Sequence, residues 1–382
     1  IITAAEICDA HAIHPGYGFL SENAKFASMC RECNIGFIGP SPEAISLSGD
    51  KAACRAKAKA AGVPVVPGSE GIIKNAGEAM TIAKQIGFPV LVKAAAGGGG
   101  KGMRIAHNDV ALQKAVSMAA MEAQSAFGDD GVYIEKFLEN ARHVEIQVLA
   151  DEHGRITTLG ERECTIQRRH QKLIEESPSP RLTSSMRAKM SKAAYRAAKA
   201  MGYSNAGTAE FLVAKDGSFY FIEFNARIQV EHPVTEMVTN IHLVKEPIHI
   251  AAGEPLRVTA PKFHGHAIEA RVYAEDPDAN FAPSPGTITK CHIPGGPGIR
   301  VDSHIFPGYT VPRYYDSLLA KVIAHGNDRD EAIHRLAGAL QEFTVVGVKT
   351  TAQLCAKILL SDRFRRGDLS PDLIDQFVPK PK

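Results

Sequence analysis

Between residues 205 and 231 apolar and polar positions alternate around a single Asp216-Gly217 pair. Two apolar runs separated by Asp-Gly are the strongest short-range signal for a β-hairpin. A two-residue loop sets Lys215 against Ser218, and counting outward from that pair places Glu210 opposite Glu223. Directly opposed Cβ atoms lie roughly 4.5–5.5 Å apart, so these two carboxylates repel unless a cation stands between them. On the second arm Glu223, Asn225, Arg227, Gln229 and Glu231 alternate with Ile222, Phe224, Ala226, Ile228 and Val230. An extended chain puts alternate residues on one face, so one polar row is expected from Glu223 to Glu231, on the side bearing Glu210. Two carboxylates and an amide are hard oxygen donors suited to Mg²⁺ shared with nucleotide phosphates. The arginine, glutamine and final acid suit holding and deprotonating a small anion.

The rest of the chain reads as alternating elements. Residues 4–11 are a helix end, 12–18 a strand running into a loop, 23–33 a helix and 34–40 a short strand. Such βαβ alternation predicts a parallel sheet, with ligands at the loops that follow its strands. Tyr17, in His14-Pro15-Gly16-Tyr17-Gly18, is therefore either a ligand contact or a packed turn residue. Lys51 heads an Ala- and Lys-rich helix, where an anion is favoured. Residues 87–106 read as a buried strand, a glycine loop and a second strand, with Lys93 at the end of the first. Met103 follows Gly102 where a Walker A loop needs Ser or Thr, so any phosphate cradle here is of another kind. A helix over 111–126 and a strand over 132–139 follow.

Residues 143–163 form a hairpin turning at Glu152-His153-Gly154, with His143, Glu145 and Gln147 on one face. Gln167, Arg168, Arg169, His170 and Lys172 make a basic run without the aromatic interleaving of a nucleic-acid platform. An amphipathic helix is predicted over 185–201, a helix near 236–246, a strand at 266–277, a pair of strands over 281–302, a strand at 314–326, and a helix over 330–343.

Composition narrows the class. A chain of 382 residues has room for two or three domains. A net charge of +2 gives no reason for bulk binding to nucleic acid or membrane, and no apolar run approaches the ~20 residues of a membrane helix. Seven cysteines, odd in number with one lone C-x-x-C at Cys30 and Cys33, read as reduced thiols in a cytoplasmic-type protein. The chain opens Ile-Ile-Thr without Met, so residue 1 is not expected to be the natural start.

With these pieces in place the chain resembles biotin carboxylase of the ATP-grasp superfamily over essentially its whole length. The motifs are HPGYGFLSEN (14–23), GDK (49–51), KAAAGGGGKGM (93–103), EKFLE (135–139), RHVEIQVLAD (142–151), QRRHQK (167–172), EFNARIQVEHPVTEM (223–237), GIRVDSHI (298–305) and YYDSLLAK (314–321). The resemblance implies an α/β (α+β ATP-grasp) fold. Residues 1–38 would be the remainder of an N-terminal parallel βαβ domain, which in the family leads with about one more βαβ-sized segment. Residues 39–65 would be a helical linker, 66–138 a small lid domain with the glycine-rich loop, and 139–382 a larger C-terminal domain with an antiparallel sheet.

The resemblance further implies that MgATP and bicarbonate form carboxyphosphate, and that biotin on a carrier protein is then carboxylated. ATP would be bound by Lys51, Lys93, Gly98, Gly99, Met103, Glu135, Lys136, Leu138, His143, Gln167, His170, Glu210 and Glu223. Glu210, Glu223 and Asn225 would hold two Mg²⁺ or Mn²⁺ ions. Lys172, Arg227, Gln229, Val230 and Glu231 would bind bicarbonate, with Glu231 as general base kept ionised by Arg227. Arg300 would stabilise the biotin enolate, with Tyr17 beside the ring. The implied partners are a biotin carboxyl carrier protein and carboxyltransferase subunits, with a homodimer for the full-length chain. The resemblance is nearest to the biotin carboxylase of acetyl-CoA carboxylase; a pyruvate- or propionyl-CoA-type enzyme and a carbamoyl-phosphate synthetase half are the alternatives. A non-enzymatic nucleotide- or RNA-binding module built on the 167–172 run is the rival from another class.

Overall fold

The computed structural model describes residues 1–73, 75–94, 103–128, 130–258 and 261–379, with 126 and 127 in backbone alone. The glycine loop, with Gly98 and Gly99, therefore lies outside the described residues. The chain forms two compact units, Ile1–Ala141 with Lys192–Arg227, and Arg142–Ser191 with Ile228–Lys382. No helix among the described residues is long and apolar enough to cross a membrane.

The first unit opens with the expected alternation. Strands Ala12–Ile13 and Gly36–Phe37 pair in parallel across helix Ala24–Glu32, which Asn23 starts by accepting from the Phe26 amide. Its buried Phe26 and Cys30 pack on Ile35 and Ala5. Cys30 is buried and Cys33 exposed, so the C-x-x-C pair does not share one environment. Asp50 ends helix Pro42–Gly49 and caps helix Lys51–Ala60 through the Ala53 amide, which puts Lys51 at its first position. Farther on, Val90–Ala94 is the middle strand of an antiparallel sheet between Arg104–Ala106 and Val132–Lys136. Helices Ala76–Ile86 and Asp109–Phe127 cover it, burying Val90, Val92, Leu112 and Ile134.

The hairpin around Asp216-Gly217 reaches its expected pairing by a different route. Near the turn Phe219 faces Val213, Tyr220 faces Leu212 and Phe221 faces Phe211. The Ala214 amide donates to the Ser218 carbonyl, so the loop is Lys215, Asp216 and Gly217, with Gly217 at φ +84°. Three-residue loops of this kind place glycine in the left-handed region. The register then shifts between Phe221 and Glu223, which restores Glu223 to Glu210. One extra loop residue and one bulged residue, Ile222, cancel.

The polar row does not continue as a strand. Strand Phe219–Asn225 stops there, and helix His232–Thr239 begins after Glu231. Pro233 explains this: it lacks an N–H for a ladder, and its fixed φ suits a first helical turn. That helix ends at Asn240, at φ +56°, and a separate helix, Lys245–Ala251, follows. The single helix expected near 236–246 is thus two.

In the second unit six strands lie side by side in the order Arg142–Ala150, Ile156–Arg168, Gln171–Ser177, His266–Tyr273, Leu318–Gly326 and Ile299–Ser303. All these pairings are antiparallel. Ile268, Ala270 and Val272 point to one face, where helices Arg329–Glu342 and Ala352–Leu359 supply Leu336, Leu340 and Cys355. On the other, helix His232–Thr239 lays Val234 and Val238 on Ala267 and Ile323. Glu269 and Arg271 share that second face by alternation. The basic run is a hairpin turn: Arg168 pairs with Gln171, and Arg169 and His170 have φ of +48° and +69°. Two left-handed residues define a turn that normally selects Asn-Gly, so its Arg-His sequence carries no turn signal.

Candidate active site

In the first unit Glu210 and Glu223 stand side by side on adjacent strands. The Asn225 amide donates to Glu210 Oε1 at 2.9 Å, and Lys51 Nζ lies 3.1 Å from Glu223 Oε2. Glu223 thus has a cationic partner from the first turn of a neighbouring helix. The same helix, four residues on, supplies Arg55, which binds Glu135 and the Val66 carbonyl. Lys93 holds the other oxygen of Glu135, so this buried carboxylate is spanned by two cations. Lys136 points elsewhere: its ammonium donates to the carbonyls of Gly87 and Phe88 at 3.0 and 2.7 Å. Leu138 follows that strand, half-buried, and Met103, also half-buried, immediately precedes Arg104–Ala106. Arg227 Nε donates to Glu22 Oε2 at 2.8 Å, and Glu22 Oε1 also accepts from the Ala226 amide. Tyr17 sits between Gly16 and Gly18, both at positive φ, and is 39% exposed.

Glu231 is the centre of the second unit's chemistry. It is fully buried, with Lys172 Nζ 2.5 Å from Oε1 and Arg271 Nη2 2.7 Å from Oε2. Lys172 also donates to Glu145 Oε2 at 2.6 Å, and Arg162 Nε to Glu145 Oε1 at 2.5 Å. Arg162 further reaches Gln147 Oε1 at 2.7 Å, so Glu145 and Gln147 do share a face. Burial alone would push Glu231 up, but Lys172, Arg271 and Arg162 hold it well below the usual carboxylate range. Within this unit these three cations are the largest charges holding it ionised. Glu145, Cys164 and Glu231 bring ligand-type atoms within 4.8 Å, but Lys172 already bridges the two carboxylates.

Around this core Gln229 is buried, and its carbonyl contacts His232 Nδ1 at 2.8 Å. The Val230 carbonyl accepts from Lys321 Nζ at 3.0 Å. Gln167 pairs with Lys172 across the basic turn, His170 occupies the turn itself, and the His143 amide donates to Thr165 Oγ1. Arg300 is gripped at 2.8 Å by both oxygens of Asp302 and at 2.6 Å by Glu236 Oε2.

Three family descriptions match the chain in sequence: "Biotin carboxylase, N-terminal domain" over residues 1–45, "Carbamoyl-phosphate synthase L chain, ATP binding domain" over 50–259 and "Biotin carboxylase C-terminal domain" over 269–376. A biotin carboxylase of Nostoc sp. is 52% identical, covering 98% of this chain and 85% of that protein. The chain belongs to the biotin carboxylase family. A pyruvate carboxylase component from Methanothermobacter thermautotrophicus is 50% identical, covering 99% of this chain and 77% of its own. A crystal structure of the biotin carboxylase domain of Hydrogenobacter thermophilus 2-oxoglutarate carboxylase, a dimer with MgADP, ADP and bicarbonate, superposes with TM-score 0.94 at 47% identity. It covers 100% of this chain and 85% of that one. The mixed α/β ATP-grasp fold and the ATP-dependent ligase class expected for this biotin carboxylase are thereby established.

Several charged residues escaped the sequence reading: Arg55 and Glu22 in the first unit, and Glu145 as a charge partner, Arg162, Glu175, Arg271 and Glu236 in the second. Arg55 was visible as a cation four residues after Lys51, on the same helix face. Glu269 and Arg271 were visible as alternate charges inside the apolar strand HAIEARVY.

Proposed function

We propose that this biotin carboxylase joins bicarbonate to ATP's γ-phosphoryl group and carboxylates N1′ of biotin on a biotin carboxyl carrier protein. The observation that carries the reading is Glu231: an ionised, fully buried carboxylate whose oxygens are each engaged by a cation. Such a group is preorganised to take a proton from a small anion held beside Lys172.

Bicarbonate loses its proton to Glu231, its oxygen attacks the γ-phosphorus, and the bond to ADP breaks. Lys51, and the Lys93–Glu135–Arg55 group with its one net positive charge, face the triphosphate, since phosphoryl transfer rests on positioning and charge neutralisation. Glu210, Glu223 and Asn225 offer an all-oxygen donor set that fits Mg²⁺ or Mn²⁺. Two such ions would neutralise phosphate charge. Arg227, fixed by Glu22, offers the rest of its planar fork to bicarbonate, and Gln229 and Val230 line the same segment. Carboxyphosphate then gives CO₂ and phosphate, phosphate takes the N1′ proton, and Arg300 faces the enolate oxygen with Tyr17 beside the ring. Gly98, Gly99, Met103, Lys136, Leu138, His143, Gln167 and His170 complete the proposed nucleotide contacts.

The acceptor enzyme is proposed to be acetyl-CoA carboxylase, with carboxyltransferase subunits, a homodimeric full-length protein and a cytoplasmic setting. The 2-oxoglutarate carboxylase domain and the pyruvate carboxylase component among its relatives favour a second reading, a keto-acid carboxylase. Incubating the protein with ATP, labelled bicarbonate and purified carriers of each type, then with the matching carboxyltransferase and each acyl-CoA or keto acid, tests both. No labelled carrier from any of them would refute the function; label passing only to a keto acid would refute the acetyl-CoA assignment.

A further inference from the structure

Of the basic run at 167–172, the proposed chemistry uses Gln167, His170 and Lys172 and leaves Arg168 and Arg169 without a task. The structure separates these two. Arg169 is exposed at the tip of the turn, whereas Arg168 is half-buried and folded back onto another loop of the same unit. Its Nη2 donates to the Asn280 carbonyl at 2.8 Å and to Asn280 Oδ1 at 3.0 Å. Its guanidinium carbon lies 4.0 Å from the centre of the Phe281 ring. A guanidinium that donates from its edge and stacks on an aromatic face is held in both distance and orientation.

The loop that Arg168 grips is itself fixed. Asn280 and Phe281 have φ of +55° and +60°, a region that disfavours a bulky side chain. Such a conformation persists only where its surroundings over-determine it. Here Phe281 is buried in the main core of the unit, and its amide donates to the Asp276 carbonyl at 2.8 Å. Two more bonds tie the second arm of the basic turn to the same stretch. The Tyr273 hydroxyl donates to the Lys172 carbonyl at 3.1 Å, and Gln171 Nε2 donates to Glu275 Oε1 at 3.4 Å. That Glu275 oxygen also accepts from Ser317 Oγ at 2.6 Å. On the first arm the corresponding tie is Arg168, directly opposite Gln171. The turn between them depends on such ties, because Arg169 and His170 both hold left-handed backbone, and neither favours it as Asn or Gly does.

We propose that Arg168 is a positioning residue for nucleotide binding: pinned to Asn280 and Phe281, it preorganises the 169–170 turn so that Gln167 and His170 meet ATP in one arrangement. This rests on the reading of those two as nucleotide contacts. Lys172 keeps its own anchors in Glu145 and Glu231, so the pin acts on the nucleotide and not on bicarbonate. A turn that is competent only part of the time weakens apparent affinity by that fraction, and nucleotide binding then selects the competent form.

The test combines MgADP affinity by calorimetry with steady-state ATP cleavage. Arg168→Met should weaken MgADP binding and raise the KM for ATP by about tenfold, as for a turn competent about a tenth of the time. The kcat and the KM for bicarbonate should not change, and the urea midpoint should move little. Arg168→Lys, which keeps a cation but loses the planar fork, should fall between Arg168→Met and the parent. The decisive variant combines Arg168→Met with Arg169→Asn, which sets a residue suited to left-handed backbone at the first turn position. It should restore MgADP affinity and the KM for ATP, although it supplies no cation. Failure of that rescue, or MgADP affinity unmoved in Arg168→Met, overturns the proposal. A fall in kcat that tracks a fall in the urea midpoint overturns it too, by making Arg168 a general structural tie. His170→Ala separates this from the reading beneath it. Unchanged MgADP affinity in that variant refutes the nucleotide role of the turn and the proposal with it; affinity lost there but kept in Arg168→Met refutes the pin alone.

Discussion

Glu223 stands directly opposite Glu210 on the hairpin, with Lys51 Nζ 3.1 Å from the first and the Asn225 amide 2.9 Å from the second. Each carboxylate therefore has a polar partner, and a divalent cation would compete with Lys51 for Glu223.

Glu223→Gln should accordingly lower Mg²⁺-dependent ATP cleavage by on the order of 10²-fold. The half-exposed Lys51 pair contributes at most about 1 kcal/mol to folding, so the denaturation midpoint should barely move. Steady-state rates across a Mg²⁺ titration check this. An unaltered metal dependence would end the argument for the pair.

Lys172 is the cation shared by Glu145 and Glu231, and its removal leaves two buried carboxylates undercompensated. Lys172→Met should cost roughly 3–5 kcal/mol in urea unfolding and abolish bicarbonate-dependent cleavage. Adding Glu145→Gln should restore much of the stability and none of the activity. Activity recovering in step with stability would make Lys172 purely structural.

Acid stability should depend on Glu176. Burial would raise this carboxyl, but His266 at 2.7 Å and Arg329 at 2.6 Å bring it from 4.5 down to about 2. A depressed carboxylate contributes stability that is present above its unfolded value and lost as pH falls through the folded one. That window runs from about 4.5 to 2, and the shift is worth on the order of 3 kcal/mol. Arg329→Gln should narrow the loss over that window in pH-dependent denaturation. An identical acid limb in the two proteins would contradict the assignment.

Arg300 is anchored by Asp302 and Glu236, apart from the Lys172–Glu231–Arg271 cluster in its hydrogen bonding. Arg300→Ala should leave bicarbonate-dependent ATP cleavage largely intact while carboxybiotin formation falls by about 10²–10³. Glu231→Gln should abolish both. Parallel loss of both half-reactions in Arg300→Ala, with stability unchanged, would place Arg300 with the ATP and bicarbonate groups.

Motif spacing made the proposed ligand-facing residues legible, because chemistry dictates their types and order. The Glu210–Glu223 pairing was readable from the turn, yet by an argument that missed two compensating shifts. Nothing in Lys215-Asp216-Gly217-Ser218 tells a two-residue loop from a three-residue one, and no residue type marks Ile222 as bulged. The strand's end at Asn225 was legible in Pro233, whose demand for a helical first turn outweighs the alternation before it. Arg271 and Glu175 stayed hidden because their meaning comes from which strands become neighbours. Gln171–Ser177 and His266–Tyr273 pair across almost ninety intervening residues.

The bulge at Ile222 divides the hairpin into two halves with separate registers. The acidic half is keyed to the strand beyond the bulge, while the tip at Lys215–Ser218 is keyed only to itself. A reporter group grafted at the tip would thus ride on the same two strands that carry Glu210 and Glu223 without dictating their alignment. The hairpin comes with a built-in handle, carried on the same two strands as Glu210 and Glu223 but outside the register that pairs them.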